Sequence, residues 1–419
     1  MEAVAVMHVI LLNQAFYPDV VATAQMGKDL ADELVARGHR VSAVASRSIY
    51  GRSGAVLPRR DRVDGIEIRR VGASLFGKTG YAARIADFAL FYALALWRVL
   101  TMPRADVVVC YTTPPFVALV GLLSRLLRGS RAVYWVMDLY PDLPVACGVM
   151  RERAYATRAF ERLNRFLLAR SDVSVVLGRC MRERVLAKGV PAARVRLIPV
   201  WADTAGIRPL PHEANPARAG LAPAGEFVVM YSGNLGLGHD ARTLCEAMAI
   251  VQDEAPSVRF EFVGGGKRRG EVEAFIRDRG LRNARWSDYV PRERLGESLA
   301  AADLHLISLK EGVEGIMVPS KLFGIMAAGR ASIFVGHPGS EIARVLTESG
   351  GGLVIREGDA RGLADAIRDL SVDRARLDRM GADAARALAG AYDKPTACRA
   401  WCDLLEGLVP GVAKGEARA

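Results

Sequence analysis

Metal-ligand patterns are missing from this sequence. Its six cysteines, Cys110, Cys147, Cys180, Cys245, Cys398 and Cys402, form no CxxC pair and no Cys/His cluster at zinc-ligand spacing. They read as ordinary thiols of a reducing compartment, so a cytoplasmic location is expected. There is no D-x-D, no H-E-x-x-H and no G-x-S-x-G. That argues against a chelated catalytic metal and against a serine nucleophile. Neither a metal nor a cofactor is expected. No apolar stretch reaches the roughly 18–20 residues of a membrane span. Tyr81–Met102 and Phe116–Leu123 come partway, with arginines beside both. They read either as buried helices or as interfacial contacts. Met1–Asn13 is a short apolar run without a basic leader, so a first strand is expected there rather than a signal peptide.

What is present is a chain of 419 residues, long enough for two domains with large cores. The charge is unevenly placed. The first 200 residues hold 29 Lys and Arg against 16 Asp and Glu, an excess of +13, and the remainder carries −2. Drift in an Arg-rich composition explains this split; so does a basic face toward an anionic partner such as a membrane surface or a pyrophosphate-linked lipid. Nucleic acid is not expected, because no binding motif and no interleaved aromatic-basic run occurs.

Strand-like and helix-like runs alternate twice. His8–Asn13, Val41–Ala45, Ala105–Tyr111, Arg131–Met137, Val173–Leu177 and Val195–Val200 are apolar strand candidates, most of them separated by helical stretches. Trp201–Glu226, with Pro209, Pro211, Pro216 and Pro223, has linker composition. The alternation restarts at Phe227–Tyr231 and continues through Val258–Val263, Trp286–Val290, Leu304–Leu309, Ser332–Val335 and Leu353–Ile355. Such alternation means parallel βαβ units. An α/β protein is expected, with two Rossmann-like doubly wound parallel-sheet domains facing a cleft. Residues 1–202 form the first domain and 203–392 the second. The tail after Leu408 is expected to be disordered.

Several turns have the composition of phosphate sites. Tyr231–His239 carries Gly233, Asn234, Gly236 and Gly238, and the helix expected from about Asp240 offers free N–H groups to an anion. Phe262–Arg269 places Gly264, Gly265 and Gly266 before Lys267, Arg268 and Arg269 at a helix start, against the helix dipole. An anion there would relieve that conflict, although solvated surface charge reads the same. Glu314–Gly329 holds Pro319, Ser320 and Lys321 at the start of an apolar helix with Gly324 inside it. Lys321 with a helix N-terminus is the best diphosphate clamp in the chain. In the first half, Asp138 falls at a strand end before Tyr140 and could orient or deprotonate a hydroxyl, or simply cap a turn. The turn after the first strand contains Tyr17, and Thr23 is the expected N-cap of the next helix.

Together these segments resemble the retaining GT-B glycosyltransferases of family 4, in the exopolysaccharide and lipopolysaccharide branch. The resemblance rests on Asn13–Pro18, Asp138–Pro141, Ile198–Trp201, Tyr231–Gly236, Val263–Gly266, Pro319–Lys321 and Met326–Gly329. It implies an acceptor-side first domain, with Tyr17, Thr23, Asp138 and Tyr140 facing a glycan or lipid-linked acceptor. It implies a second domain that binds a nucleotide-sugar through Gly233, Asn234, Gly236, Gly264, Gly266, Lys267, Arg268, Val290, Glu314, Pro319, Ser320, Lys321 and Gly324. Asp138 and Lys321 are the expected catalytic groups. A final helix at about 393–410 is expected to return to the first domain, and peripheral contact with an anionic membrane surface is an expected partner interaction.

Two departures from the family stand out. Its paired glutamates would fall at Ile316 and Gly324, with Glu314 and Glu341 the nearby acids. The loop Leu235–Asp240 lacks the Arg and Lys that many members carry. The missing glutamates keep a non-catalytic nucleotide-sugar or glycan-binding protein open as an alternative. A nucleotide-sugar epimerase on the same fold is the other.

Overall fold

The structure is a computed structural model, and it describes residues 6–49, 52–72, 81–222 and 225–412. Val6 is therefore its first described residue, and Pro223 and the tail beyond residue 412 lie outside it. The chain divides into two compact units. One comprises Met1–Pro144, Met150–Pro199 and Pro395–Ala419; the other comprises Val145–Val149 and Val200–Lys394.

The first unit is built on an eight-stranded sheet. Edge to edge its strands are Val195–Leu197, Val173–Val176, Arg131–Val136, Val107–Cys110, His8–Leu12, Arg40–Ser46, Ile66–Val71 and Arg60–Val63. All pairs are parallel except the last, which is an antiparallel edge. The central strands His8–Leu12 and Val107–Cys110 are buried throughout, as a sheet covered on both faces requires. Ile66–Val71 and Arg60–Val63 are not legible as strands because their charged residues break the apolar run. A small two-stranded sheet pairs Ser48–Ile49 with Arg52–Val56.

The C-terminal helix Lys394–Glu406 belongs to this unit. Trp401 packs on Trp135 with ring centres 4.2 Å apart. Glu406 accepts from Arg37 Nη1 at 3.1 Å and lies 3.1 Å from His39 Nε2, with both acid and histidine side chains 1% exposed.

The second unit holds a six-stranded, all-parallel sheet in the order Ala284–Ser287, Val258–Val263, Phe227–Ser232, Leu304–Ser308, Ala331–Val335, Gly352–Ile355. The strand expected over Trp286–Val290 ends at Ser287 instead, and Val290 follows in a loop before Pro291. The proline-rich segment expected as a linker is docked on this unit. Arg218 Nη1 donates to Asp303 Oδ2 at 2.7 Å, and Asn215 Nδ2 donates to the Glu297 carbonyl at 2.9 Å. Asp303 is buried and also takes the Val228 amide at 2.7 Å, so the segment is held by a charge that needs its arginine.

Among the described residues, no helix is long and apolar enough to cross a membrane.

Candidate active site

In parallel sheets, ligands gather at the C-terminal strand ends, where the loops lie. In the second unit two loops meet there, and their glycines are needed for the meeting. The Gly233 amide donates to the Val263 carbonyl, and the Leu235 amide to Gly265, each at 2.8 Å. Gly264 and Gly266 have φ of +130° and +132°. A Cβ on Gly264 would stand 2.5 Å from the Gly233 carbonyl oxygen, and one on Gly266 would stand 2.3 Å from that of Leu235. Neither distance is compatible with a side chain, so these two glycines serve loop-on-loop packing first.

Lys321, the first residue of the helix Lys321–Ala327, reaches into this junction. Its Nζ lies 3.6 Å from the centre of the Tyr231 ring and 3.5 Å from the Asn234 carbonyl oxygen. The chain adjoins Gly233 so closely that a Cβ there would be 3.8 Å from Nζ. No carboxylate pairs with Lys321 among the described residues. Burial of the ammonium pushes its pKa well below the usual lysine value. In the two joined loops, the amides of Asn234, Gly236, Gly265 and Gly266 donate to no group among the described residues.

His239 closes the loop from below. Its Nδ1 lies 2.5 Å from the Ser308 carbonyl, which can only accept, so Nδ1 carries the proton. Burial first, then the Lys321 charge, lowers its pKa to about 3, so the ring is neutral. Tyr231 and His239 were not singled out from sequence. Their one signal is that they bound the glycine-rich turn.

Other expectations are corrected. The helix after this turn, Arg242–Glu254, has no open N-terminus: buried Asp240 accepts from the Arg242 and Thr243 amides at 3.0 and 3.3 Å. The Gly233 amide is likewise occupied, so it is no anion donor. Arg268 is committed to the protein, donating to the His239 carbonyl at 2.9 Å and pairing with Glu271 at 3.3 Å. Arg269 pairs with Glu273 at 2.8 Å, and also with Asp288, while Lys267 is exposed.

Pro319 is buried and half-buried Ser320 precedes the helix, without a side-chain capping bond. Gly324 looks inward, its absent Cβ 3.3 Å from Leu299 Cδ1 and 3.8 Å from Ile207 Cδ1. Ile316 is 2% exposed. Glu314 turns back on its own loop and accepts from the Gly312 amide at 3.0 Å. Glu341 starts the helix Glu341–Ser349 and is buried. Val290 packs, half-buried, against the cluster of Ala222, Val228, Met230, Val263 and Ala302.

In the first unit, three loops at adjacent strand ends are stitched together. The Gln14 amide donates to the Thr113 carbonyl at 2.8 Å, and the Asp138 amide to Thr112 Oγ1 at 3.2 Å. Thr112 and Thr113 were not anticipated. Through them the Asp138 loop is tied to the turn that carries Tyr17. Burial pushes the Asp138 carboxyl up to about 6. Tyr140, two residues on, is half-buried, and Tyr17 exposes its ring while its carbonyl accepts from Arg70 Nη2 at 2.8 Å. Thr23 is not the cap of the first helix. That helix is Ala22–Ala36 with Val21 at its cap, and Asp19 Oδ1 accepts from the Val21 amide at 3.3 Å. The aspartate four residues upstream holds the entry turn, leaving Thr23 half-buried inside the first turn.

Among the described residues, no three His, Cys, Asp or Glu side chains gather as a metal site.

Comparison with known proteins agrees with this architecture. Residues 23–201 match the family model described as a glycosyl transferase 4-like domain, and residues 226–373 match glycosyl transferases group 1. The chain is 29% identical over 267 residues to the WbjE glycosyltransferase of Pseudomonas aeruginosa, covering 64% of this chain and 66% of that one. It is 28% identical over 234 residues to WcaI of Escherichia coli K12, described as a colanic acid biosynthesis glycosyl transferase, covering 54% and 55%. The matched segment thus spans somewhat less than two thirds of WbjE and about half of WcaI. Among solved structures, HepE of Anabaena, in complex with UDP and glucose, superposes with a TM-score of 0.71 at 16% identity, over 96% of this chain and all of HepE. With two Rossmann-like parallel-sheet units, and a glycosyl transferase 4-like domain followed by a glycosyl transferases group 1 domain, the chain belongs to the GT-B glycosyltransferases.

Proposed function

We propose that the chain moves a sugar from a nucleoside-diphosphate donor, a UDP-sugar, to a glycan or lipid-linked acceptor, with retention and without a metal, in synthesis of a cell-surface polysaccharide. One observation carries this reading: Lys321 holds an ammonium without a carboxylate partner over Tyr231 and against the Asn234 carbonyl, on a pair of bonded glycine loops whose Asn234, Gly236, Gly265 and Gly266 amides stay open among the described residues. An ammonium whose charge is disfavoured by burial gains most when an anion arrives. A diphosphate supplies that anion, and open amides at glycines let its oxygens approach the backbone. UDP is preferred because HepE, of the same fold, was solved with UDP and glucose. A polysaccharide product is preferred because WcaI is described by colanic acid synthesis.

As the bond from the anomeric carbon to the diphosphate breaks, negative charge grows on the leaving oxygen. Groups already aimed at that oxygen stabilise the transition state without reorganising. Lys321 takes this role, exposed Lys267 adds long-range charge, and the four amides donate to the phosphate oxygens. Asp138 accepts a hydrogen bond from the acceptor hydroxyl and orients it. Since Ile316 and Gly324 stand where the family has glutamates, ribose recognition rests on other groups of the second unit.

The test is release of UDP from UDP-sugars in the presence and absence of a panel of glycan and lipid-linked acceptors, with the product's anomeric configuration read by NMR. Acceptor-dependent release with an α-linked product from an α-linked donor is expected. Tight UDP-sugar binding with no release on any acceptor would overturn transfer in favour of a binding protein, the reading the missing glutamates favour. Interconversion of the sugar without acceptor would point to an epimerase.

A further inference from the structure

Tyr289 is a large aromatic side chain left mostly in solvent. It is 57% exposed, in the loop that follows the strand Ala284–Ser287. That strand pairs in parallel with Val258–Val263, so Tyr289 lies at the C-terminal end of the sheet, beside the turn that carries Gly264, Gly265 and Gly266. An aromatic ring stabilises a fold through the area it buries, and here more than half of that area is left in water.

The ring nevertheless has a built seat. A Cβ on Gly264 would stand 3.1 Å from Tyr289 Cε1, and one on Gly265 would stand 3.1 Å from Cε2 and 3.7 Å from Cζ. The ring therefore lies across both glycines, with one side against their backbone. Gly264 must already be glycine, for its φ of +130° and for the Gly233 carbonyl. Gly265 has no such need. Its φ lies outside the left-handed region, and the three atoms nearest to a Cβ there all belong to Tyr289. The residues on either side hold the ring in place: Asp288 pairs with Arg269, and Val290 packs half-buried against the cluster that includes Val263.

The chemistry around the ring selects what covers it. The Gly265 amide, part of the seat itself, donates to no group among the described residues, so the ring adjoins backbone assigned above to the diphosphate. The two flat or ring-shaped parts of a nucleotide-sugar are its base and its sugar. Sugar hydroxyls need hydrogen-bond partners. The side chains flanking Tyr289 offer none: Asp288 is taken by Arg269, Val290 is apolar, and Pro291 has no N–H. A base presents a planar π-face that stacks on an aromatic ring without such partners.

We infer that Tyr289 is the stacking platform for the nucleobase of the donor, one side of its ring on Gly264 and Gly265 and the other on the base. The inference rests on the nucleotide-sugar reading above and supplies what that reading lacks. Lys321 and the open amides meet the diphosphate, which is the same in every nucleoside diphosphate. Tyr289 separates a nucleotide from a bare diphosphate.

The full chain is titrated with UDP and with inorganic pyrophosphate in a calorimeter, as wild type, Tyr289→Ala and Tyr289→Phe. Tyr289→Ala should weaken UDP about 10- to 100-fold, the usual loss when a stacking ring is truncated. Its affinity for pyrophosphate should stay that of the wild type. Tyr289→Phe keeps the ring and should bind both ligands as the wild type does. Because the side chain is mostly in solvent, both variants should melt like the wild type. Undiminished UDP affinity in Tyr289→Ala would overturn the inference and leave the donor reading standing. Equal losses for UDP and pyrophosphate would also overturn it, since Tyr289 would then only hold the glycine turn. A Tyr289→Phe variant as weak for UDP as Tyr289→Ala would assign the effect to the hydroxyl and overturn stacking. A wild type that binds neither ligand would remove the donor reading and this inference together.

Discussion

The Lys321 ammonium lies 3.6 Å from the centre of the Tyr231 ring, with no carboxylate to balance it among the described residues. Burial holds its pKa well below the ordinary value, and a bound diphosphate would raise it again. Binding therefore takes up a proton wherever Lys321 is neutral in the free protein, and affinity for UDP falls as pH rises. Calorimetry in buffers of different ionisation enthalpy should read that proton. Lys321→Met should remove both the uptake and most of the affinity, with kcat/KM falling about 100-fold or more. Unchanged kcat/KM would remove Lys321 from the mechanism.

Asp138 carries a carboxyl raised to about 6 by burial. If its ionised form orients the acceptor, kcat/KM rises as pH climbs through about 6 and then levels. Asp138→Asn should abolish that step along with most turnover. The stability sign is opposite. A carboxyl raised in the folded state favours folding at low pH and loses that advantage as pH rises through its folded value. At pH 8, Asp138→Asn should therefore be more stable than the wild type, by up to about 3 kcal/mol. Thermal melts at pH 5 and pH 8 separate the two effects.

Two glycines from the expected donor site should respond in opposite directions. Gly264→Ala forces a Cβ against the Gly233 carbonyl at a positive φ, and should cost roughly 2–4 kcal/mol and displace the loop over which Lys321 lies. Gly324→Ala sits within a helix against the flexible Leu299 side chain, and should gain at most about 1 kcal/mol. Denaturant midpoints of the two variants check the contrast.

Glu406 joins the last helix to Arg37 and His39 inside the first unit. Among the described residues, Glu406→Ala leaves the Arg37 guanidinium, 6% exposed, with its links to Asp403 and Glu33. A loss of roughly 2–4 kcal/mol is expected, read as a lower urea midpoint. The Glu406→Gln variant should lose less, since the amide still accepts from Arg37.

The alternation of apolar strands and helices determined two α/β units from sequence alone, because a strand buried on both faces must be a continuous apolar run. Val107–Cys110 is such a run, and His8–Leu12 is one from Val9 onward. Edge strands such as Arg60–Val63 are half in solvent and carry no such run, so they were illegible. Glycine-rich turns and Lys321 were visible as residue types. Which amides stay open was decided by tertiary structure, since hydrogen bonds from Gly233 to Val263 and from Leu235 to Gly265 join segments about 30 residues apart. The same holds for Asp240 closing its helix and for Thr112 holding Asp138. Sequence determines what each segment can be, through local periodicity and conformational freedom. Only the packed chain decides which polar groups are left without a partner, because partners come from anywhere along it.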